Sequence, residues 1–403
     1  MRRIVVIGGG QAAAALIGKL VAEGVQDGIT LVCAEPIVPY QRPPLSKAYL
    51  LGEMSRDRLF FRPEGWYAEN GVTVLLGTRA VGVDAAARTV TLSGGCVLAY
   101  DDLVLTTGAW PRTLPAAIGG TLDNVYAVRD LSDADAMAPA FAAGARCLIV
   151  GGGYIGLEAA AVAAKRGVTV TLVEAASRIL QRVACVETSD FFRALHRSHG
   201  VDIREGTGLV RLTGDGAVTG AELADGTRLD IDFAVVGVGI QPDTALADGA
   251  GLALDNGIAC DAHGRTSDTH IWAAGDCAST PWRGDRVRIE SVGNAIDQAE
   301  IVAHNLLGRD VTYTPAPWFW SDQYDCKLQI AGLNTGYDAV HVKAGADGAR
   351  SHWYYRGGDL IAIDAMSDVR NYMVGKRLIE AGRSPAPAVV TDPATDMKAL
   401  LRA

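Results

Sequence analysis

Ile4-Val5-Val6-Ile7-Gly8-Gly9-Gly10-Gln11-Ala12-Ala13 is the stretch that decides the fold. Four successive β-branched residues suit a strand buried on both faces, and the glycines after them suit a tight turn. The Ala/Leu-rich run to about Glu23 then reads as a helix, and Ile29 to Cys33 reads as a second strand ending in Glu35. The whole pattern returns further along. Cys147 to Val150 is a strand, Gly151-Gly152-Gly153-Tyr154-Ile155-Gly156 is the turn, a helix runs to about Arg166, and a strand from Val168 to Val173 ends in Glu174.

Each copy is a βαβ unit of the dinucleotide-binding kind. The first glycine (Gly8, Gly151) permits the strand-to-helix turn, and the second (Gly10, Gly153) lets a pyrophosphate approach the backbone. The small third residue (Ala13, Gly156) lets helix and strand pack closely, and the anion sits on free N–H groups at the helix start. One such motif is weak evidence by itself. Two complete copies, with Gly8 and Gly151 143 residues apart and each ending in a glutamate, imply two dinucleotides. Glu174 can accept both ribose hydroxyls of NADH and would repel a 2′-phosphate, and Ala175-Ala176 supply no cation beside it. Arg178 and Arg182 keep NADPH open, because an arginine one turn on can reach a phosphate.

Around these units Val72 to Val83 and Thr89 to Leu92 read as strands, and Asp101 to Gly108 reads as a strand ending in a Thr106-Thr107-Gly108 turn. Trp110 to Pro115 is a crossover into the second unit, which closes on the turn Gly237-Val238-Gly239. Ile271 to Asp276 is a strand ending on Gly275-Asp276, and Ser291 to Leu307 is a helix with Ser291 as its N-cap. Strands around 328–332, 339–343, 351–356 and 360–365 suggest a separate small α+β domain.

Composition limits the alternatives. The 403 residues are 49% hydrophobic, enough for two to three domains at about 150 residues each. With 46 acids against 37 bases the net charge of −9 disfavours broad contact with nucleic acid or anionic lipid. No apolar run approaches the ~18 residues of a membrane span. Arg2-Arg3 ahead of an apolar stretch imitates a signal peptide, but three glycines and Lys19 interrupt it, so the expected location is cytoplasmic. The seven cysteines never form a C-x-x-C pair and read as small buried hydrophobes. No metal is expected: His196 and His199 read as an exposed helix end, and Asp130, Asp133 and Asp135 as a solvated helix start.

The two fingers, the Thr106-Thr107-Gly108 turn, the Gly275-Asp276 strand end, Arg42-Pro43-Pro44-Leu45-Ser46-Lys47 and Trp318-Phe319-Trp320-Ser321-Asp322-Gln323-Tyr324 together resemble the oxygenase-coupled NADH:ferredoxin reductases. The two-finger layout is shared by many flavin disulfide reductases, whereas the last two segments are specific to this branch. The resemblance implies an α/β chain with two Rossmann-like domains of glutathione-reductase type and a small C-terminal α+β domain. Residues 1–112 with 243–316 would bind FAD, 113–242 NADH, and 317–403 would form the third domain.

FAD contacts fall by the same match on Gly8, Gly10, Ala12, Ala13, Glu35, Arg42, Lys47, Thr107, Gly108 and Gly275. The Ala80 backbone would meet the adenine, Arg129 the phosphates, Asp276 the ribitol, and Val292 a helix start facing the flavin N1–C2 edge. NADH contacts fall on Gly151, Gly153, Tyr154, Ile155, Gly156, Glu158, Glu174, Gly237 and Val238. Lys47 and Glu158 would pair beside the flavin N5, and Trp320 would shield its dimethylbenzene edge. The implied partner is a [2Fe–2S] ferredoxin feeding a haem-thiolate monooxygenase or a ring-hydroxylating dioxygenase. Two other functions compete: an NADH-sensing flavoprotein similar to apoptosis-inducing factor, and a thiol or peroxide reductase. The second would need a redox cysteine in the loop Tyr40 to Lys47, which has none. A basic docking patch is expected from Arg58, Arg62, Lys327 and Lys376.

Overall fold

The computed structural model describes residues 2–402. Two compact units form, one from Met1–Arg42, Ser55–Trp110 and Ile240–Pro317, the other from Pro43–Met54, Pro111–Gly239 and Trp318–Ala403.

The first unit is built on a five-stranded parallel sheet in the order Ile271–Ala273, Asp102–Leu105, Ile4–Ile7, Ile29–Val32, Val72–Leu75. Every residue of Ile4–Ile7 is buried, as a run of four β-branched residues at the centre of a parallel sheet requires. The first finger helix, Gln11–Ala22, lays Leu16, Ile17 and Leu20 (each 0% exposed) into a core shared with the helix Val292–Leu306. Truncating any of the three to Ala would cost about 2–5 kcal/mol. Ser291 caps the later helix, its Oγ accepting from the Asn294 N–H at 3.2 Å.

The second unit repeats the plan. Its parallel sheet runs Asp202–Glu205, Thr169–Glu174, Arg146–Val150, Phe233–Val236, Val125–Tyr126, with the second finger helix Tyr154–Lys165 leaving the central strand. In both sheets the finger strand lies between the next strand of its βαβ unit and one that returns much later in the chain. The order therefore reverses there, which opens a crevice at the strands' carboxyl ends. The same unit carries a five-stranded antiparallel sheet in the order Trp318–Gln323, Cys326–Gly332, Asp359–Met366, Arg350–Arg356, Ala339–Ala344. Helix Val369–Glu380 packs on it around Trp353, Tyr355 and Ile363.

Four local expectations are corrected. Val72 to Val83 is two strands, because Gly77 turns the chain at φ 60°: Val72–Leu75 joins the parallel sheet, while Ala80–Asp84 pairs with Thr89–Leu92 and Val97–Ala99 in a separate meander. The proposed crossover begins with a short strand, Ala109–Pro111. Cys96 is exposed, while the other six cysteines are buried. His196 is 0% exposed, not part of an exposed helix end, because Val186–Ser198 turns that face inward, whereas His199 beyond it is exposed.

Burial also pushes the imidazoles of His196 and His352 down to about 4, so the fold holds them neutral. The unfolded chain would protonate both below its ordinary value of about 6.5, so their contribution to stability is complete above that pH and is lost as pH falls toward 4. Asp364, fully buried and pushed up to about 6, works in the opposite direction: ionised only above that pH in the fold, it adds stability as pH falls from 6 toward 3.8. Two histidines outweigh one carboxyl, and the midpoint of thermal unfolding is expected to fall between pH 7 and 5. A profile that rises over that range would contradict neutral burial of both rings.

Candidate functional site

In the first unit the chain leaves Ile4–Ile7 through Gly8 at φ 108°, a conformation that side-chain-bearing residues rarely adopt. A Cβ there would lie 2.4 Å from the Thr106 carbonyl oxygen, so the finger turn and the Thr106-Thr107-Gly108 turn are in backbone contact. Thr106 Oγ1 ties them, donating to the Ile7 and Gly8 carbonyls at 2.9 and 3.0 Å. A Cβ on Gly275 would stand 3.1 Å from Ala12 Cβ, so the strand end that carries Asp276 abuts the finger helix. Glu35 accepts from Tyr40 Oη at 2.5 Å and pairs with Arg42, whose guanidinium lies 5.1 Å over the Tyr40 ring. Thr107 Oγ1 donates to the Asp243 carbonyl at 2.6 Å. Ala80 is buried at the start of its meander strand, and Val292 opens the Ser291-capped helix. The remaining residues expected to meet FAD, Lys47 and Arg129, belong to the second unit.

The second finger uses the same device. Gly151 has φ 106°, and a Cβ on it would lie 2.4 Å from the Gly237 carbonyl oxygen. Beside it the apolar side chains of Ile155 and Val238 are each 41% exposed. Glu174 accepts from the Gly152 and Ala176 N–H groups at 2.8 and 2.7 Å, which fixes its carboxylate and leaves acceptor sites for hydroxyls. Arg178 is held elsewhere, donating to Ser189 Oγ at 2.6 Å and the Ala184 carbonyl at 2.8 Å.

Both fingers fit a dinucleotide phosphate. The helices Leu131–Met137, Val292–Leu306 and Val369–Glu380 each carry a side-chain cap from Asp130, Ser291 or Asp368. The two finger helices carry none and have no acid in the first turn. A Cβ on Gly10 or Gly153 would meet nothing within 4 Å, so space stands open in front of N–H groups that a phosphate can satisfy.

Glu158, on the second finger helix, is 3% exposed and is engaged by three side chains. Lys47 Nζ lies 2.6 Å from its Oε2, Ser46 Oγ donates to the same oxygen at 2.8 Å, and Ser321 Oγ donates to Oε1 at 2.7 Å. Lys47 stands just past the turn Pro43–Ser46, and Ser321 lies in the strand Trp318–Gln323. A buried carboxylate stripped of its cation would be strongly destabilising, so this pair and its two hydroxyls act together. Ser46 and Ser321 escaped the sequence reading as site residues, although each lies within one of its two branch-specific segments. Side chains alternate along a strand, so Trp320 shares its face with Trp318, their rings 5.6 Å apart, and Ser321 shares its face with Phe319, whose ring is 4.8 Å from that of Tyr154.

One group of three possible metal ligands occurs among the described residues, Cys185, His352 and Asp364. The Thr188 hydroxyl lies 2.7 Å from His352 Nδ1, 2.7 Å from Asp364 Oδ2 and 3.3 Å from Cys185 Sγ, so the centre of the group is filled by a hydrogen-bonding side chain.

Residues 2–299 match the pyridine nucleotide-disulphide oxidoreductase family, and residues 318–401 match the reductase C-terminal family. The chain belongs to the pyridine nucleotide-disulphide oxidoreductases. Among its relatives are a ferredoxin–NAD(P)+ reductase of Sphingomonas (41% identical, covering 98% of this chain and 96% of the relative) and putidaredoxin reductase of Pseudomonas putida (39%, covering 99% and 97%). The solved covalent complex of putidaredoxin reductase with putidaredoxin superposes with a TM-score of 0.96 at 38% identity, covering 100% of this chain and 98% of that one. The agreement spans both finger units and the C-terminal sheet of this family member.

Two glycines of the second finger separate folding from binding. Gly151→Ala forces a Cβ into the Gly237 carbonyl and is expected to lower the melting temperature by several degrees or prevent accumulation of folded protein. Gly153→Ala meets no protein atom and is expected to fold normally while weakening NADH binding by about tenfold, since its methyl enters the phosphate cradle. Equilibrium titration with NADH alongside thermal melts distinguishes the two, and an unchanged NADH affinity in Gly153→Ala would contradict the assignment of the cradle.

Proposed function

We propose that this chain is an FAD-dependent NADH:ferredoxin reductase, passing electrons one at a time to a [2Fe–2S] ferredoxin that serves a haem-thiolate monooxygenase or a ring-hydroxylating dioxygenase. The observation that carries the reading within its family is a buried, hydroxyl-braced Lys47–Glu158 pair on the second finger helix in a chain without a reactive buried thiol. Burial pushes all six buried thiols up, Cys33 to about 12 and Cys185 and Cys326 to about 11, so none is poised as the thiolate that disulfide or persulfide chemistry needs. The names of the relatives, a ferredoxin–NAD(P)+ reductase and putidaredoxin reductase, agree with this reading.

The division of labour follows the fingers. Residues 1–112 with 243–316 hold FAD, 113–242 hold NADH, and 317–403 form the third domain. Gly8, Gly10, Ala12, Ala13, Arg129 and the first finger helix take the FAD phosphates, Glu35 with Arg42 the adenosine ribose, Ala80 the adenine, and Asp276 with Thr107, Gly108 and Gly275 the ribitol side. The helix start at Val292 offers partial positive charge to the ring's pyrimidine edge. When bound, FAD supplies an acceptor that takes two electrons together and releases them singly. Gly151, Gly153, Tyr154, Ile155, Gly156, Gly237 and Val238 seat the nicotinamide coenzyme, and Glu174 selects NADH. Lys47 and Glu158 orient and balance charge and transfer no proton, because hydride transfer between the two cofactors needs no nucleophile from the protein. Trp320 shields the ring edge. Among the described residues no helix is long and apolar enough to cross a membrane. The cytoplasm is the proposed location.

Arg58, Arg62 and Lys327 are exposed, and Lys376 lies 5.1 Å over the Trp318 ring. These four bases are the proposed ferredoxin-facing charges of a chain whose net charge is −9. Ferredoxin reduction should therefore slow as salt rises toward physiological strength and beyond, where screening acts over about 8 Å, while ferricyanide reduction should not follow. A salt-independent KM for ferredoxin, unmoved by charge reversal at these bases, would remove them from the docking surface. In anaerobic stopped flow NADH is expected to bleach the bound flavin at least about tenfold faster than NADPH, and Glu174→Ala combined with Ala175→Arg should narrow that ratio. Equal use of both coenzymes by the unmodified protein would overturn the role given to Glu174.

A further inference from the structure

Ser321, which donates to Glu158, is the first member of a buried chain that runs away from the site. Gln323 Nε2 lies 3.1 Å from Ser321 Oγ, His196 Nε2 lies 2.8 Å from Gln323 Oε1, and Tyr324 Oη lies 3.1 Å from His196 Nδ1. Ser321, Gln323 and His196 are each 0% exposed. At the far end the exposed His199 ring stacks on Tyr324, centroids 3.6 Å apart and planes 12° from parallel.

Charge at one end fixes every proton along it. As the ion-pair partner of Lys47, Glu158 can only accept, so Ser321 must spend its single hydroxyl proton on Oε1. Ser321 Oγ is then an acceptor toward Gln323, which must present its NH2. The Gln323 carbonyl oxygen therefore faces His196, whose Nε2 must carry hydrogen. A neutral imidazole has one such hydrogen, so Nδ1 accepts and Tyr324 donates to it. The neutral ring agrees with its burial. Reversal of any one link would set donor against donor or acceptor against acceptor inside a buried site, at the cost of an unsatisfied polar group.

We propose that Gln323 and His196 are positioning residues for hydride transfer: through a one-way line of donors they fix the Ser321 hydroxyl, and with it the rotamer of the Glu158 carboxylate opposite Lys47. The proposal rests on the role given to Glu158 above. It accounts for two features that the reductase reading leaves unused, the buried His196 and the glutamine of the Trp318–Tyr324 segment. Tyr324 closes the line and is itself covered by the exposed His199 ring.

The test is a double-substitution cycle in the holoenzyme, reading the NADH-driven flavin reduction rate at saturating NADH, the NADH dissociation constant and the FAD content. Gln323→Met, which touches neither Glu158 nor Lys47 through a hydrogen bond, should slow reduction about fivefold or more with FAD retained, and should slow it no further in a Glu158→Gln background. Equal slowing in both backgrounds would make Gln323 merely structural and overturn the relay. So would no slowing in the wild-type background while Glu158→Gln alone is slow. If Glu158→Gln alone reduces as fast as the wild type, the assignment of Glu158 fails, and the relay falls with it for want of anything to position. Should Gln323→Met fail to hold FAD, Ser321→Ala against Ser321→Thr decides: loss with Ala and recovery with Thr support the relay, and equal rates overturn it. Nitrogen-15 NMR of the histidine rings reads the proton directly. The Nε2–H tautomer is expected at His196, and the Nδ1–H tautomer would overturn the direction of the chain.

Discussion

Two close backbone approaches, Gly8 against the Thr106 carbonyl and Gly151 against the Gly237 carbonyl, set the positions from which the rest of the architecture is built. In each sheet they press the end of the central strand against the end of a neighbour that returns from far along the chain. The following helix then starts close to the strand ends with its first N–H groups uncapped. An uncapped helix start next to a turn with no side chain is a stabilisation deficit in the bare protein and an anion site once a phosphate arrives. The same covalent pattern, used twice, gives a chain two places for a dinucleotide.

A second constraint in this chain is electrostatic. Glu158 on the second finger helix is joined by Lys47 and Ser46 from the Pro43–Met54 segment and by Ser321 from the C-terminal sheet, and all of these residues lie in one compact unit. Three pieces distant in sequence converge on one carboxylate. Because a buried charge with a missing partner is far more costly than one fully engaged, each piece constrains the others. The partners come from the turn Pro43–Ser46 with Lys47 and from the strand Trp318–Gln323.

Most of the framework was legible because it depends on local rules. β-branched runs, finger glycines, the Ser291 cap and the helix start at Asp130 are all short-range signals, and the structure contains each of them, the last as a capping box between Asp130 and Asp133. Val72 to Val83 misled because β-branched residues continue on both sides of Gly77, and only the turn there separates a parallel strand from a meander. His196 misled because a histidine pair near a helix end looks solvated unless one knows that Gln323 and Tyr324 pack over the inner face. The pairing of Lys47 with Glu158 could be expected from family resemblance, but Ser46 and Ser321 needed three dimensions, since a serine carries no periodicity or charge pattern that marks it as a carboxylate partner.

The central claim is that electrons leave this protein singly for an iron–sulfur carrier and do not pass through a protein thiol. Its most direct test is NADH-driven reduction of a panel of purified [2Fe–2S] ferredoxins under anaerobic conditions, followed by visible absorbance, with all seven cysteines replaced by alanine or serine in a parallel preparation. The account predicts one FAD per chain, rapid reduction of at least one ferredoxin, and the same turnover from the cysteine-free protein. Failure to reduce any ferredoxin while a disulfide or persulfide substrate is turned over, with that turnover lost in the cysteine-free protein, would contradict it.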